Sequence, residues 1–224
     1  ALYLNKDNPV ATVRVLPPTS DDANIAEGYR EIWVEGVNSS GKDVRTKLTL
    51  GAAPDPDSHF DQQVNTWIQS GNIPNKYGSK PSKRFVLNVV RVGKDENGNF
   101  VHEVDEQGNI VVRIAQVPQT LYQGILEKIG NDNFEPEGVT DGLRVISEQN
   151  AYPFELKRTG TGIDTRYTVN VYERNLGALP NNWRDQAEDL AYQASKTPED
   201  QNYANYVIAV ANGKEAEFQQ QQNG

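Results

Sequence analysis

Apolar residues in this chain recur at every second position in one short stretch after another, and that period of two admits strands and little else. Residues 10–16 (VATVRVL) alternate and stop at Pro17-Pro18, a pair that cannot continue a ladder. Residues 29–37 (YREIWVEGV) and 44–50 (VRTKLTL) alternate on either side of Asn38-Ser39-Ser40-Gly41. That polar turn has a glycine for positive φ, so the spacing predicts a hairpin. The most apolar run is 84–92 (RFVLNVVRV), dense enough to predict burial on one face throughout and on both faces in part. Turns at 95–99 (DENGN) and 107–109 separate it from strands at 100–104 and 110–117. Residues 152–157 and 165–172 make a final strand pair, connected by 158–164 (RTGTGID).

The period changes to 3.6 at 118–129 (PQTLYQGILEKI), which places Leu121, Ile125, Leu126 and Ile129 on one helical face. Pro118 suits the first turn and Gly130-Asn131 the stop. This order predicts a mainly β fold, an OB-type five-stranded barrel with an inserted helix, long loops and a C-terminal helical arm. Residues 1–177 are expected to form the OB domain, with 51–82 as a loop insertion in which 60–68 carry a short helical pattern. Residues 178–224 are expected to form an acidic, mainly helical arm, with helices at 183–194 and 204–211. The low-complexity run Gln219-Gln220-Gln221-Gln222 is expected to lack fixed structure.

The 224 residues suffice to bury a real core. No apolar run approaches the roughly 20 residues of a bilayer span, no signal-peptide pattern opens the chain, and a cytoplasmic setting is expected. The chain opens on Ala1 rather than Met, which reads as a trimmed N-terminus. The absence of Cys excludes disulfides, thiolate catalysis and Cys-based zinc sites. A net charge of −9 speaks at first against a polyanionic partner, but the charge is segregated. Residues 76–91 carry five cations (Lys76, Lys80, Lys83, Arg84, Arg91) and no acid, a balance of +5. Residues 157–174 carry Lys157, Arg158, Arg166 and Arg174 against Asp164 and Glu173, a balance of +2. From 185 onward Lys196 and Lys214 face Asp185, Glu188, Asp189, Glu199, Asp200, Glu215 and Glu217, a balance of −5.

Catalytic chemistry finds little to use. His59 and His102 are the only histidines; both read as exposed loop or strand residues, and no nucleophile-elbow sequence accompanies them. Asp55, Asp57, His59 and Asp61 resemble a metal loop superficially, but interspersed prolines and the missing Gly and Glu favour a solvated loop. No metal, cofactor or enzymatic activity is expected. Gly160-Thr161-Gly162 lacks the strand–turn–helix context of a nucleotide loop and reads as a hairpin turn, with or without a backbone phosphate contact. Aromatics accompany the basic runs: Tyr77, Phe85, Tyr152, Phe154, Tyr167 and Tyr172. Cations for phosphates beside rings for bases are the equipment of single-stranded nucleic-acid binding. Alternation sends every second side chain inward; Phe85 and Phe154 are assigned to the core, and Tyr77, Tyr152, Tyr167 and Tyr172 to stacking platforms.

The ordered segments VRVLPP (13–18), YREIWV (29–34), KRFVLNVV (83–90) and FELKRTGTGIDTRY (154–167) resemble the bacteriophage single-stranded DNA-binding proteins of the OB-fold class. The similarity covers roughly residues 10–175 and includes the helix at 118–129. It implies non-sequence-specific coating of single strands in phage replication, recombination and repair, with Lys83, Arg84, Arg91, Lys157, Arg158 and Arg166 in the groove. Lys76, Tyr77, Lys80, Arg113, Tyr152, Tyr167 and Tyr172 complete the expected contact set. The chain departs from the family in having no Cys-rich zinc element between hairpin and Arg-Phe strand. An acidic C-terminal region recruits replication or recombination partners in such proteins; here 185–217 is acidic without a dense terminal run. A different class of function also fits: an all-β assembly module whose basic strand is a protein interface.

Overall fold

Where alternation is regular the backbone is extended: β1 (Val10–Val15), β2 (Ala26–Val37), β3 (Asp43–Leu50), β4 (Ser82–Lys94), β5 (Phe100–His102), β6 (Val112–Pro118), β7 (Phe154–Thr159) and β8 (Arg166–Val171). Helices are α1 (His59–Ser70), α2 (Gln119–Ile129), α3 (Trp183–Gln186), α4 (Leu190–Ser195), α5 (Gln201–Ala211) and α6 (Glu215–Asn223), with 3-10 turns at Arg144–Ile146 and Gly162–Asp164. The computed structural model describes residues 1–195 and 200–224; Lys196 and Glu199 of the acidic region lie outside the described residues. The fold is mainly β with open antiparallel pairing: β1 pairs with β4 and β7, β7 with β8, and β4 also with β5 and β6, while β2 pairs with β3. Among the described residues no helix is long and apolar enough to cross a membrane. The chain forms two compact units, one of residues 1–27 and 85–193, the other of 28–84 and 194–224, a division different from a cut after residue 177.

In the first unit Val13 and Val15 of β1, Leu87 and Val89 of β4, Ala115 and Val117 of β6, and Phe154 and Leu156 of β7 share one core. Helix α2 closes it with Leu121 and Ile125. Gly124 permits the approach, since a Cβ there would lie 2.9 Å from a Val169 methyl. Leu126, which the 3.6 period places on the buried face, is exposed instead. The stripe is one residue narrower than the sequence implies: Leu121 and Ile125 are buried and Tyr122 and Ile129 pack partly against the same core, while Leu126 faces water. A second apolar cluster lies on the other side of β1 and β4: Leu16, Val90, Ile110, Leu179 and Trp183. Residues 183–194 do not form one helix. Asn88, buried on β4, exchanges hydrogen bonds with the backbone N–H and C=O of Glu188, at 3.0 and 3.1 Å, and this holds the chain out of helix between α3 and α4.

Arg14 pairs with Val90 across the β1–β4 ladder and is fully buried. Its guanidinium donates to the carbonyls of Ser147 and Gly177, both at 2.8 Å, and to Nε2 of His102 at 3.2 Å. Burial pushes its pKa down to about 10. A guanidinium only donates, so the facing nitrogen of His102 must accept and the ring must be neutral. His102 is therefore no exposed strand residue: burial, then the Arg14 charge, lower its pKa to about 4. The unfolded ring binds its proton near 6.5 and the folded one near 4, so stability is complete above the higher value and declines as pH falls between them. The urea midpoint should drop from pH 7 to pH 4.5 in the parent, and drop less in His102→Gln, whose amide oxygen still accepts from Arg14.

The second unit is built on the β2–β3 hairpin, in register from Arg30↔Leu50 to Val37↔Asp43, with Gly41 at φ 75° in its turn. Ile32, Val34, Val44 and Leu48 point inward and pack against Val64 and Trp67 of α1 and Ala204, Val207 and Val210 of α5. Helix α1 starts at Ser58, whose side chain accepts from the Asp61 N–H, and stops at Gly71. Trp67 Nε1 donates to Asn212 Oδ1 at 2.8 Å. Residues 51–82 thus contribute a core helix rather than a plain loop. Asp61 is not solvated; it is buried in an ion pair of 2.7 Å with Arg30. The glutamine run also has structure. It lies in α6, anchored by Phe218 against Tyr206, with ring centroids 5.9 Å apart, and by Glu215 accepting from the Ser39 N–H at 2.7 Å. A chain ending at residue 199 loses the apolar cover of Ile32, Val34, Val44 and Leu48. Limited proteolysis should then cut rapidly within residues 28–84 while a fragment spanning 85–193 resists.

Candidate nucleic-acid interface

Because Ile32 and Val34 turn inward, strand alternation places Glu31, Trp33 and Glu35 on the other face, opposite Thr49, Lys47 and Arg45 of β3, with Glu31 buried there. Trp33 is 45% exposed. The Arg45 guanidinium lies 5.0 Å and the Lys47 ammonium 5.9 Å from its ring centre, within cation–π reach. The loop after α1 is fixed beside this face: Asn75 Nδ2 donates to the Trp33 carbonyl at 3.2 Å and the Lys76 N–H to Glu35 at 2.9 Å. Between loop and hairpin runs a groove of about 740 Å³, lined among others by Glu35, Val37, Asp43, Arg45, Pro74 and Lys76. Tyr77 stands 75% exposed with the Lys76 ammonium 5.2 Å from its ring. Lys80 and Lys83 are exposed as well. Arg84 is committed to Glu31 at 3.0 Å, and the same carboxylate holds Lys47 at 3.2 Å.

The remaining expected residues belong to the first unit. Arg91 is exposed, and its charge helps to lower the pKa of Glu103. The main cause of that lowering is the hydrogen bond from Arg113, which grips Glu103 through two nitrogens at 3.0 and 2.5 Å. Arg113 is thus largely neutralised. On the β7–β8 hairpin the register pairs Lys157 with Thr168 and Thr159 with Arg166 on the solvent face, but Arg158 with Tyr167 on the face that continues into Leu156 and Val169. Lys157 and Arg158, adjacent in the basic run, consequently point to opposite sides of the ribbon.

The platform tyrosines divide in the same way. Tyr152 and Tyr167 are half-buried against the core, and the Tyr152 hydroxyl donates to the Glu135 carbonyl at 3.2 Å. Burial, assisted by nearby glutamates, raises the pKa of that phenol. Tyr172 is exposed but donates to Glu155, which raises its own pKa. Its ring lies 5.2 Å from that of Phe100, over which Lys94 is placed at 5.2 Å. Phe154 is in the core as expected, whereas Phe85 is only half-buried and stacks on Tyr122 at 4.2 Å.

Trp33, Arg45 and Lys47 were absent from the expected contact set, although their signal is present in the sequence. Once Ile32 and Val34 are assigned inward, Trp33 must face water, and a two-strand register from the 38–41 turn sets Lys47 opposite it. Comparison with protein-family models finds no match, and comparison with curated proteins finds none either.

Trp67 and Trp183 are buried, leaving Trp33 as the exposed one of the three tryptophans. Acrylamide should quench a single accessible component of the emission, and Trp33→Phe should abolish it.

Proposed function

We propose that this chain is a single-stranded DNA-binding protein that coats strands without sequence preference, by neutralising phosphates and stacking bases, in phage replication, recombination and repair. The observation that carries this reading is Trp33, held exposed in the β2–β3 hairpin between Arg45 and Lys47. A flat ring flanked by cations offers a base a stacking surface and its phosphates a counter-charge, and it serves any base because every base has a π-face. Tyr77 beside Lys76, with Lys80 and Lys83, repeats the combination in the same unit.

The OB-type interpretation of the first unit is part of the proposal. It is supported by α2, which follows β6, precedes β7 and packs across the core shared by β1, β4, β6 and β7. The proposed role is binding without catalysis, and the acidic C-terminal region, including α6, is the proposed contact for replication or recombination proteins.

Titration with oligo-dT tests the assignment. Binding should quench the Trp33 emission and weaken steeply with salt, as release of counterions requires. Trp33→Ala should cost about 1–3 kcal/mol of affinity. Charge reversal of Arg45, or of Lys80 with Lys83, should weaken all sequences alike and lower the salt slope by about 1 per phosphate lost. No binding at low salt would sink the assignment and leave the assembly-module reading.

A further inference from the structure

The connection between β7 and β8 presents an apolar side chain that no part of the fold uses. Ile163 is 90% exposed, and no other large hydrophobic among the described residues is as bare. A flexible tip would fold such a side chain back; this one is braced. Gly160 adopts φ 73°, and a Cβ there would fall 2.2 Å from the Asp164 carbonyl oxygen, so the chain crosses itself where only glycine fits. The Asp164 N–H donates to the Thr161 carbonyl at 3.0 Å, and the Thr165 hydroxyl to that of Gly162 at 2.8 Å. Arg158 donates to the Gly160 carbonyl at 3.2 Å and to the Thr165 hydroxyl at 3.3 Å. Arg166 donates to the carbonyls of Ile163 and Thr165, at 3.1 and 2.9 Å. Both guanidiniums therefore hold the tip in shape while keeping their charge and remaining N–H groups.

The surroundings identify what meets Ile163. Thr161, Gly162 and Asp164 around it are exposed, so the apolar surface is one side chain wide. A protein interface needs roughly 800 Å² per partner, far more than this tip offers. A single branched aliphatic side chain on a rigid ribbon is, by contrast, the form of a wedge that enters between stacked bases. Lys157, Arg158 and Arg166 outnumber Glu155 and Asp164, which gives the ribbon a net positive charge, the sign that phosphates seek. Resting on the proposed DNA binding, we infer that Ile163 inserts between neighbouring bases of the bound strand and unstacks them, with Lys157 and Arg166 holding the adjoining phosphates.

A deoxyoligonucleotide carrying two adjacent 2-aminopurines reports the step, because their mutual stacking quenches their emission. The assay uses the whole chain with Trp33 and Tyr77 in place, so the proposed stacking rings are the same in every variant. The parent should raise the emission at saturation. Ile163→Ser should bind with the same salt slope but without the rise, and Ile163→Leu should restore it. An equal rise for the serine variant would overturn the wedge and leave DNA binding intact. Absence of binding by every variant would overturn both. A serine variant that changes the sedimentation of the free protein would overturn the wedge in favour of a contact between copies. Because Ile163 touches no core residue, the substitutions leave folding out of the comparison.

Discussion

Strand β4 buries both faces between Val86 and Val90, and the first unit follows from that demand. Leu87 and Val89 enter the core that α2 covers, while Val90 enters the cluster completed by Leu16, Leu179 and Trp183. Two-sided burial leaves no solvent face for the neighbouring strand, so the register Arg14↔Val90 carries a guanidinium into the interior. An unpaired buried charge is costly, and Arg14 meets the cost with the carbonyls of Ser147 and Gly177 rather than a carboxylate. These bonds tie β1 to segments more than a hundred residues away. The neutrality of His102 belongs to the same interior: burial lowers its pKa first, and the charge of Arg14 beside it adds to that.

The second unit solves a different problem. A two-stranded hairpin has one apolar face and cannot bury it alone. Helix α1 comes from the segment directly after the hairpin and α5 from the far end of the chain, and together they close over Ile32, Val34, Val44 and Leu48. The C-terminal residues are thus structural before they are anything else. Among the described residues their acidic side chains lie outside this packing, except Glu215, which fastens α6 to the hairpin turn.

Carboxylates decide which cations remain available. Glu31 engages Lys47 and Arg84, and Glu103 engages Arg113, whereas Lys80, Lys83, Arg91 and Lys157 stay exposed with no ion pair among the described residues. Density of positive charge along the sequence therefore overstates the positive surface. The aromatic side behaves alike: Tyr152 and Tyr167 serve the core, and the ring proposed for base stacking is Trp33, exposed between two cations of β3.

The strands, the hairpin turn and helix α2 were legible in the sequence, because periods of two and 3.6 are local properties set by which side chains must avoid water. So was the segregation of charge into basic and acidic stretches. The partners of each charged group were not. The pairing of Arg84 with Glu31, 53 positions away, depends on which strands lie together, and no local period encodes it. The same holds for the glutamine run, whose composition reads as disorder but whose helix is fixed by Phe218 on Tyr206. Lys157 and Arg158 make the distinction plain. Their neighbourhood in the chain is covalent, whereas their separation onto opposite faces arises from the pleat and from the core behind it, which exists only once the strands have met.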